Sequence, residues 1–321
     1  MAAEDHILEL VKRVRAGELR ALARAISIVE DRSRESTGLL KALFPYSGNT
    51  GLIGLTGSPG AGKSTLVDQI ARQYRKQGKT LGIIAVDPTS PYSGGAILGD
   101  RIRMQSHYAD PGIYIRSMAT RGSLGGLAST TADVATVLDA SGRDLVMIET
   151  VGVGQDEVDI VTLADVTLVI LVPGMGDDVQ TIKAGIMEIA DVFVINKADR
   201  EGAERVEREI RAMQSLAIRG DHWVPPIVKT VASEGAGTSE VVEAIEKYRE
   251  HLQKGSLGRE RRVENWRKRI TEMLRDALFQ RVVTDYLGDG QAERLAREVA
   301  EHQRDPYSLV EELVSEVGKQ A

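Results

Sequence analysis

The sequence predicts an α/β protein with a mostly parallel sheet flanked by helices and a helical extension at each end. From residue 51 onwards, short apolar runs that end in polar or glycine-rich turns alternate with longer amphipathic segments. This alternation is typical of βαβ units around a sheet that is buried on both faces. Before and after this region, apolar residues recur at helical spacing. With 321 residues, 42% of them hydrophobic, the chain can bury a core large enough for an enzyme.

The first segment, residues 5–45, is predicted to be helical. Its apolar residues recur every three or four positions on both sides of Gly17, and Pro45 and Gly48 end the segment. These apolar residues are Ile7, Leu10, Val11, Val14, Leu19, Leu22, Ile26 and Val29.

The next region contains seven apolar runs that are predicted to be strands: 52–55, 81–86, 113–115, 145–148, 167–172, 192–195 and 226–231. Amphipathic segments between them, such as 64–77 and 131–140, are predicted to be helices. Because ligands of parallel α/β sheets bind at the carboxyl ends of the strands, the turns after these runs should hold the functional residues.

The last segment follows a linker at residues 255–258 and is predicted to be a charged helix with a narrow apolar stripe. The stripe consists of Trp266, Ile270, Leu274, Leu278 and Val282. It either packs on its own domain or forms an oligomer contact. Basic and acidic residues alternate within 259–269, which favours a solvated helix face over a nucleic-acid site. The predicted domains are residues 1–48, 49–254 and 255–321.

Composition excludes several classes of function. Lys and Arg number 41 against 47 Asp and Glu, and the net charge of −6 disfavours a nucleic-acid binder. The absence of cysteine excludes disulfides, thiolate zinc sites, iron–sulfur clusters and cysteine nucleophiles, and the five histidines do not cluster. The acidic start has no secretory signal, and the most apolar run, Val166–Val172, is too short to cross a bilayer. We therefore expect a cytoplasmic protein that binds neither nucleic acid nor membrane.

The strongest motif is GSPGAGKST, which follows a predicted strand and opens a predicted helix. It fits G-x-x-x-x-G-K-[ST], a loop whose glycines let backbone N–H groups surround phosphate oxygens at a helix N-terminus. Lys63 is expected to reach the β- and γ-phosphates, and the hydroxyl of Ser64 to bind Mg²⁺. The candidate nucleotide-binding residues of this loop are Gly57, Ser58, Pro59, Gly60, Ala61, Gly62, Lys63, Ser64 and Thr65.

A second motif, N-K-A-D, directly follows the run 192–195. The carboxylate of Asp199 can accept two hydrogen bonds from guanine, whereas adenine offers neither donor in that arrangement. Asn196 and Lys197 would brace the loop and cover the base. After a phosphate loop, this motif favours GTP over ATP.

Three acidic residues lie where a magnesium site would need them. Asp87 and Glu149 end predicted strands, and Asp100 lies in the loop SGGAILGDRIRM. Mg²⁺ prefers oxygen ligands and usually keeps several waters, so one or two carboxylates beside Ser64 would suffice. Asp100 is either a ligand or an ordinary loop charge.

Two loops have the character of nucleotide-dependent switches. Gly152 follows the strand-end acid Glu149 closely, so its N–H can donate a hydrogen bond to the γ-phosphate. Hydrolysis would remove that phosphate and release the loop. Gln155 is a candidate for positioning water. Residues 173–183 form a second glycine- and acid-rich loop, which is either a switch or an ordinary surface loop. Arg116 or Arg121 is either a transition-state cation or a structural residue.

Taken together, the motifs resemble the MeaB/ArgK family of P-loop GTPases, which includes the methylmalonic aciduria type A protein. The resemblance covers nearly the whole chain and is carried by GSPGAGKST, DPTSPYSGGAILGDRIRM, RSMATRGSLGGLA, ETVGVGQ, PGMGDDVQTIKAGIMEIAD and NKAD. Related metallochaperone GTPases share the P-loop but carry cysteine or histidine motifs that this chain lacks.

The resemblance implies a P-loop fold and a homodimeric GTPase, paired through its C-terminal helices, that uses GTP, GDP and Mg²⁺. It implies a chaperone that gates adenosylcobalamin loading of a cobalamin-dependent acyl-CoA mutase, typically methylmalonyl-CoA mutase, and protects or reactivates that enzyme. It further implies Mg²⁺ ligands at Ser64, Asp87, Asp100 and Glu149, and a role for Lys183 at the nucleotide site. The residues expected to close over guanine are Ala232, Ser233 and Glu234. The alternatives are an ATP-dependent kinase of the older ArgK type and a scaffold that nucleotide only stabilises.

Overall fold

The computed structural model describes residues 2–87, 110–119, 126–150, 163–174, 189–215, 219–288 and 290–319. Its strands are β1 (Gly51–Gly57), β2 (Leu81–Asp87), β3 (Ile113–Ala119), β4 (Leu145–Glu149), β5 (Val166–Leu171), β6 (Val192–Asn196) and β7 (Ile227–Thr230). Its helices are α1 (Ala2–Arg15), α2 (Leu19–Glu30), α3 (Ser36–Leu43), α4 (Lys63–Lys76), α5 (Gly126–Ala140), α6 (Ala203–Gln214), α7 (Thr238–Gln253), α8 (Leu257–Tyr286), α9 (Gln291–Ala300) and α10 (Pro306–Lys319).

The strands of the described residues form one sheet in the order β3-β2-β4-β1-β5-β6-β7. Every neighbouring pair of strands is parallel. Strands β4, β5 and β6 are buried along their whole length, which is why they read as continuous apolar runs and not as alternating ones. The predicted α/β fold with a parallel sheet flanked by helices is confirmed.

Helices cover both faces of this sheet. On one face α4 and α7 pack on the central strands through residues such as Leu66, Ile70 and Ile245. On the other face α1, α2, α3 and α5 share a second core that includes Leu22 and Ile148. Helix α6 covers β5 and β6 in a third cluster. The predicted helical segment 5–45 is thus three helices, and its apolar stripes belong to the core of the sheet.

The chain divides into two compact units, Met1–Arg262 and Val263–Ala321. The first contains the sheet and helices α1–α7, and α8 begins within it. The second contains the remainder of α8 with α9 and α10, where Leu295 is buried. In the described part of the chain, none of the helices combines the length and apolarity that a membrane span requires.

Candidate nucleotide-binding site

The sheet brings the predicted motifs to one edge. Because all strands are parallel, the carboxyl ends of β1, β4, β6 and β7 meet on the same side, and the residues there are Gly57, Glu149, Asn196 and Thr230. Strand β1 is central and pairs with β4 and β5. The phosphate loop after β1 and the N-K-A-D motif after β6, which are far apart in the sequence, therefore lie at the same edge with only β5 between their strands.

The phosphate loop requires glycine at two positions for different reasons. Gly57 ends β1 with φ +146°, and a Cβ there would lie 2.1 Å from the carbonyl oxygen of Ile170 on β5. Gly62 precedes α4 with φ +89°, and a Cβ there would lie 2.4 Å from the Nδ2 atom of Asn196. Both conformations are accessible to glycine and costly for other residues. The loop can therefore turn sharply between β1 and α4 while it stays in contact with Asn196 of the N-K-A-D motif, called the guanine motif below.

Lys63 is the first residue of α4 and is almost fully buried. Its ammonium group donates hydrogen bonds to the carbonyl oxygens of Gly57 (2.7 Å) and Ser58 (3.2 Å). These contacts hold the positive charge inside the loop, next to the helix N-terminus, where both favour an anion. The loop therefore has the charge and the backbone geometry that a nucleotide phosphate needs.

Two of the predicted magnesium ligands are in direct contact. The hydroxyl of Ser64 donates a hydrogen bond of 2.6 Å to the carboxylate of Glu149, and both side chains are buried. In register, Glu149 pairs with Leu55 of β1 and with Ala85 of β2. A hydroxyl and a carboxylate at this distance supply the hard oxygen donors that Mg²⁺ prefers, so these residues fit the ion.

The other predicted metal and switch residues lie outside what the structure describes. Asp87 is the last residue of β2, so its backbone lies at the same edge as Glu149, but its side chain is not described. Five candidate residues lie outside the described residues: Asp100, Arg121, Gly152, Gln155 and Lys183. Among the described residues, no group of three or more acidic or histidine side chains forms a ready metal cluster.

Asn196 joins the guanine motif to the phosphate loop. Its Nδ2 atom donates to the carbonyl oxygen of Ala61 at 2.8 Å. Its Oδ1 atom accepts from the hydroxyl of Thr230 at 3.1 Å and from the N–H of Ala232 at 3.0 Å. Asn196, Thr230 and Ala232 are all buried, so the side-chain amide is fixed on three sides.

The other candidate base-binding residues lie close to Asn196 in the sequence or follow β7. Lys197 has φ +55°, an uncommon conformation for a lysine, and its ammonium group donates to the carbonyl oxygen of Gly60 at 2.7 Å. Asp199 is exposed at the surface of the loop. Ser233 and Glu234 are exposed in the turn after β7, beside buried Ala232.

Thr230 is a residue of this site that the sequence analysis missed. Its hydroxyl bonds Asn196, and its carbonyl oxygen accepts from the N–H of Ala198 at 3.0 Å. A polar residue that ends an apolar run at the same edge as Asn196 was the available signal.

Arg116 has a structural position. On β3 its neighbours Tyr114 and Met118 face the core formed with α1–α3 and α5, and its guanidinium pairs with Glu30 of α2. The phosphate loop and α4 lie on the opposite face. Of the two interpretations of Arg116, the structural one agrees with this position.

Several known proteins are similar to this chain over most of its length. The family model for the methylmalonyl-CoA mutase-associated GTPase MeaB matches residues 22–286. A Pyrococcus abyssi protein named provisionally as a GTPase is 47% identical over 96% of this chain and 96% of its own length. The mouse mitochondrial methylmalonic aciduria type A homolog is 35% identical over 78% of this chain and 65% of its own length. The crystal structure of an LAO/AO transport system kinase has a TM-score of 0.71 and 26% identity and covers 97% of both chains.

Proposed function

The chain belongs to the MeaB family of GTPases, and on that premise we propose that it binds GTP with Mg²⁺ and hydrolyses it to GDP and phosphate. The observation that carries this proposal is the contact of Asn196 with the carbonyl oxygen of Ala61. It joins the loop suited to guanine to the loop suited to phosphate, so one guanine nucleotide spans both. We assign base recognition to Asp199 and closure over the base to residues 232–234.

Guanine selectivity has a direct test. Replacing Asp199 with alanine removes the carboxylate that pairs with guanine and should weaken GDP binding by at least ten-fold, with little effect on ATP. Glu201→Ala, an exposed acid nearby, is the matched control. Competition of ATP and GTP for labelled GDP measures both. If ATP competes as well as GTP, the chain is better described as an ATP-dependent kinase.

In the proposed reaction water attacks the γ-phosphate in line. Lys63 offsets charge on the β- and γ-phosphates from its position inside the loop. Ser64 and Glu149 would hold Mg²⁺, with Asp87 and Asp100 as further proposed ligands, and the ion would offset the charge that develops on the phosphate oxygens. Gly152 is proposed to sense the γ-phosphate, and Lys183 to act at the nucleotide site within a second switch.

We further propose that a partner protein responds to whether GTP or GDP is bound. The family takes its name from association with methylmalonyl-CoA mutase. The proposed role is to gate loading of adenosylcobalamin into such an acyl-CoA mutase and to protect or reactivate it, as a cytoplasmic chaperone. GTP turnover should rise strongly when the adenosylcobalamin-dependent mutase of the same organism is added, and Lys63→Ala should abolish that rise. Tight GTP binding without stimulation would refute the mutase as partner and leave the nucleotide site intact.

The C-terminal helices are proposed to pair two subunits. Along α8, Trp266, Ile270, Leu274 and Leu278 are between 38% and 59% exposed in the single chain, an apolar row that a second copy would cover. Leu274→Glu should give a monomer in sedimentation, whereas Lys268→Glu, roughly on the opposite side of the helix, should not. A dimer that survives Leu274→Glu would refute this interface.

The kinase alternative rests on the name of the structural neighbour. A kinase would transfer phosphate to an acceptor and would release little free phosphate without it. The scaffold alternative predicts that Lys63→Ala stops hydrolysis but leaves mutase protection intact. Phosphate release by the wild-type protein without an added acceptor separates the kinase from the GTPase chaperone, and mutase protection by Lys63→Ala separates the scaffold from it.

A further inference from the structure

A buried cluster of charges lies at the amino edge of the sheet, opposite the nucleotide site. Asp191 directly precedes β6, and its carboxylate is 1% exposed. It accepts a bidentate pair of hydrogen bonds from Arg261 of α8, at 2.8 and 3.2 Å, and one from Arg219 at 2.9 Å. The N–H of Thr167 on β5 donates a further bond of 2.9 Å. The start of α8, which belongs to the same compact unit as the sheet, is thereby bonded to the residue that precedes β6.

In the direct ion pairs of this cluster two arginines face two aspartates, because Arg219 also pairs with Asp221 at 2.8 Å. The positive charge of Arg261 also acts on Asp165. The hydroxyl of Tyr248 accepts from Arg261 as well. Burial opposes the charge of Arg261, but Asp191 outweighs it and holds the pKa of the guanidinium above its ordinary value. Removing Arg261 alone would leave an uncompensated negative charge beneath the sheet.

One short strand connects this cluster to the guanine loop. Strand β6 is Val192–Asn196, so Asp191 precedes its first residue and Asn196 is its last. Every residue of the strand is buried, and the strand pairs with β5 on one side and β7 on the other. Five residues of extended chain span only ~17 Å and have no loop in which a displacement could be absorbed. The two sites therefore hold opposite ends of one short, buried strand.

We propose that Arg261 is a positioning residue for guanine-nucleotide binding, which acts through Asp191 and β6 and links the start of α8 to the nucleotide site. Guanine binding fixes the carboxyl end of β6, and Arg261 fixes its amino end, so each event favours the other. The inference rests on the proposed binding of guanine nucleotides. It gives α8 a role in nucleotide affinity that is separate from any contact between subunits.

The test uses the full chain with GDP as the probe. We expect Arg261→Met to weaken GDP binding about five-fold, Arg261→Lys to restore part of the loss, and Arg267→Met to change nothing. Arg267 is the matched control, because it lies on the same helix in an exposed ion pair with Glu264. In hydrogen–deuterium exchange, GDP should slow the amides of residues 260–262 in the wild-type protein as well as those of 196–199.

The outcomes separate the two proposals. Arg261→Met that folds and binds GDP with unchanged affinity overturns the linkage, as does slowing at 196–199 without slowing at 260–262. If Arg261→Met does not fold, the wild-type exchange experiment decides alone. Wild-type protein that binds no GDP refutes the proposed function and this inference together. An equal loss of GDP affinity in Arg261→Met and Arg267→Met overturns the assignment to Arg261.

Discussion

The hydroxyl of Thr230 offers the sharpest test of how the nucleotide site is built. Thr230→Val removes that hydroxyl and leaves the shape of the side chain almost unchanged. Asn196 then loses one of the two donors to its Oδ1 atom and keeps the N–H of Ala232 at 3.0 Å. The loss is that of one neutral hydrogen bond whose acceptor stays satisfied, about 1 kcal/mol. GDP affinity should fall by up to about five-fold, and Thr230→Ser should restore it.

Asn196→Ala provides the comparison. It removes three hydrogen bonds at once and leaves the buried carbonyl oxygen of Ala61 and N–H of Ala232 without this partner. We expect it to lower the free energy of unfolding by about 3 kcal/mol. In the double variant the Thr230 substitution should cost almost nothing more, because its partner is already gone. The cycle therefore predicts a coupling energy of about 1 kcal/mol.

Urea unfolding of the four proteins and titration with labelled GDP measure the cycle. Urea unfolding reports the coupling in the folded protein, and the GDP titration reports how much of it reaches nucleotide binding, with the full value as the upper limit. Additivity within about 0.3 kcal/mol would refute the reasoning, because it would mean that Thr230 does not act through Asn196.

Three further outcomes follow from the site and its surroundings. Gly62→Ala, whose Cβ would lie 2.4 Å from the Nδ2 atom of Asn196, should weaken GDP binding at least ten-fold in titration. Gly60→Ala shares the backbone strain, at φ +74°, but meets nothing within 4 Å and should lose less. Glu149→Gln should abolish the effect of Mg²⁺ on GTP turnover while GDP binding in the presence of a chelator stays near wild type. Burial raises the pKa of Asp221, but bonds from a guanidinium outweigh it and lower the pKa from 3.8 to about 2. The pKa of Asp221 is thus lower in the folded than in the unfolded protein, so Asp221→Asn should have a smaller free energy of unfolding than the wild type at neutral pH. Chemical unfolding at several pH values should show this difference shrinking as pH falls from 3.8 towards 2.

Much of the fold follows from local pattern alone. Each of the seven predicted runs overlaps a strand, because a parallel sheet covered on both faces needs uninterrupted apolar residues. The ends were less predictable: the run 113–115 extends to Ala119, where Arg116 is tolerated because Glu30 pairs with it. The phosphate loop and the guanine motif could be located from the sequence, because their chemistry requires particular residue types at fixed spacing.

What escaped prediction depends on pairings between distant residues. Arg261 lies in a run of basic and acidic residues for which the sequence favours a solvated helix face, and Arg267 fits that expectation. Arg261 instead reaches a carboxylate 70 residues away in the sequence, at the start of a strand that ends in the guanine motif. No periodicity or composition distinguishes these two arginines, because their difference is created only when the start of α8 packs beside Asp191. The partner of Arg261 is thus visible in the packed structure and not in the local sequence.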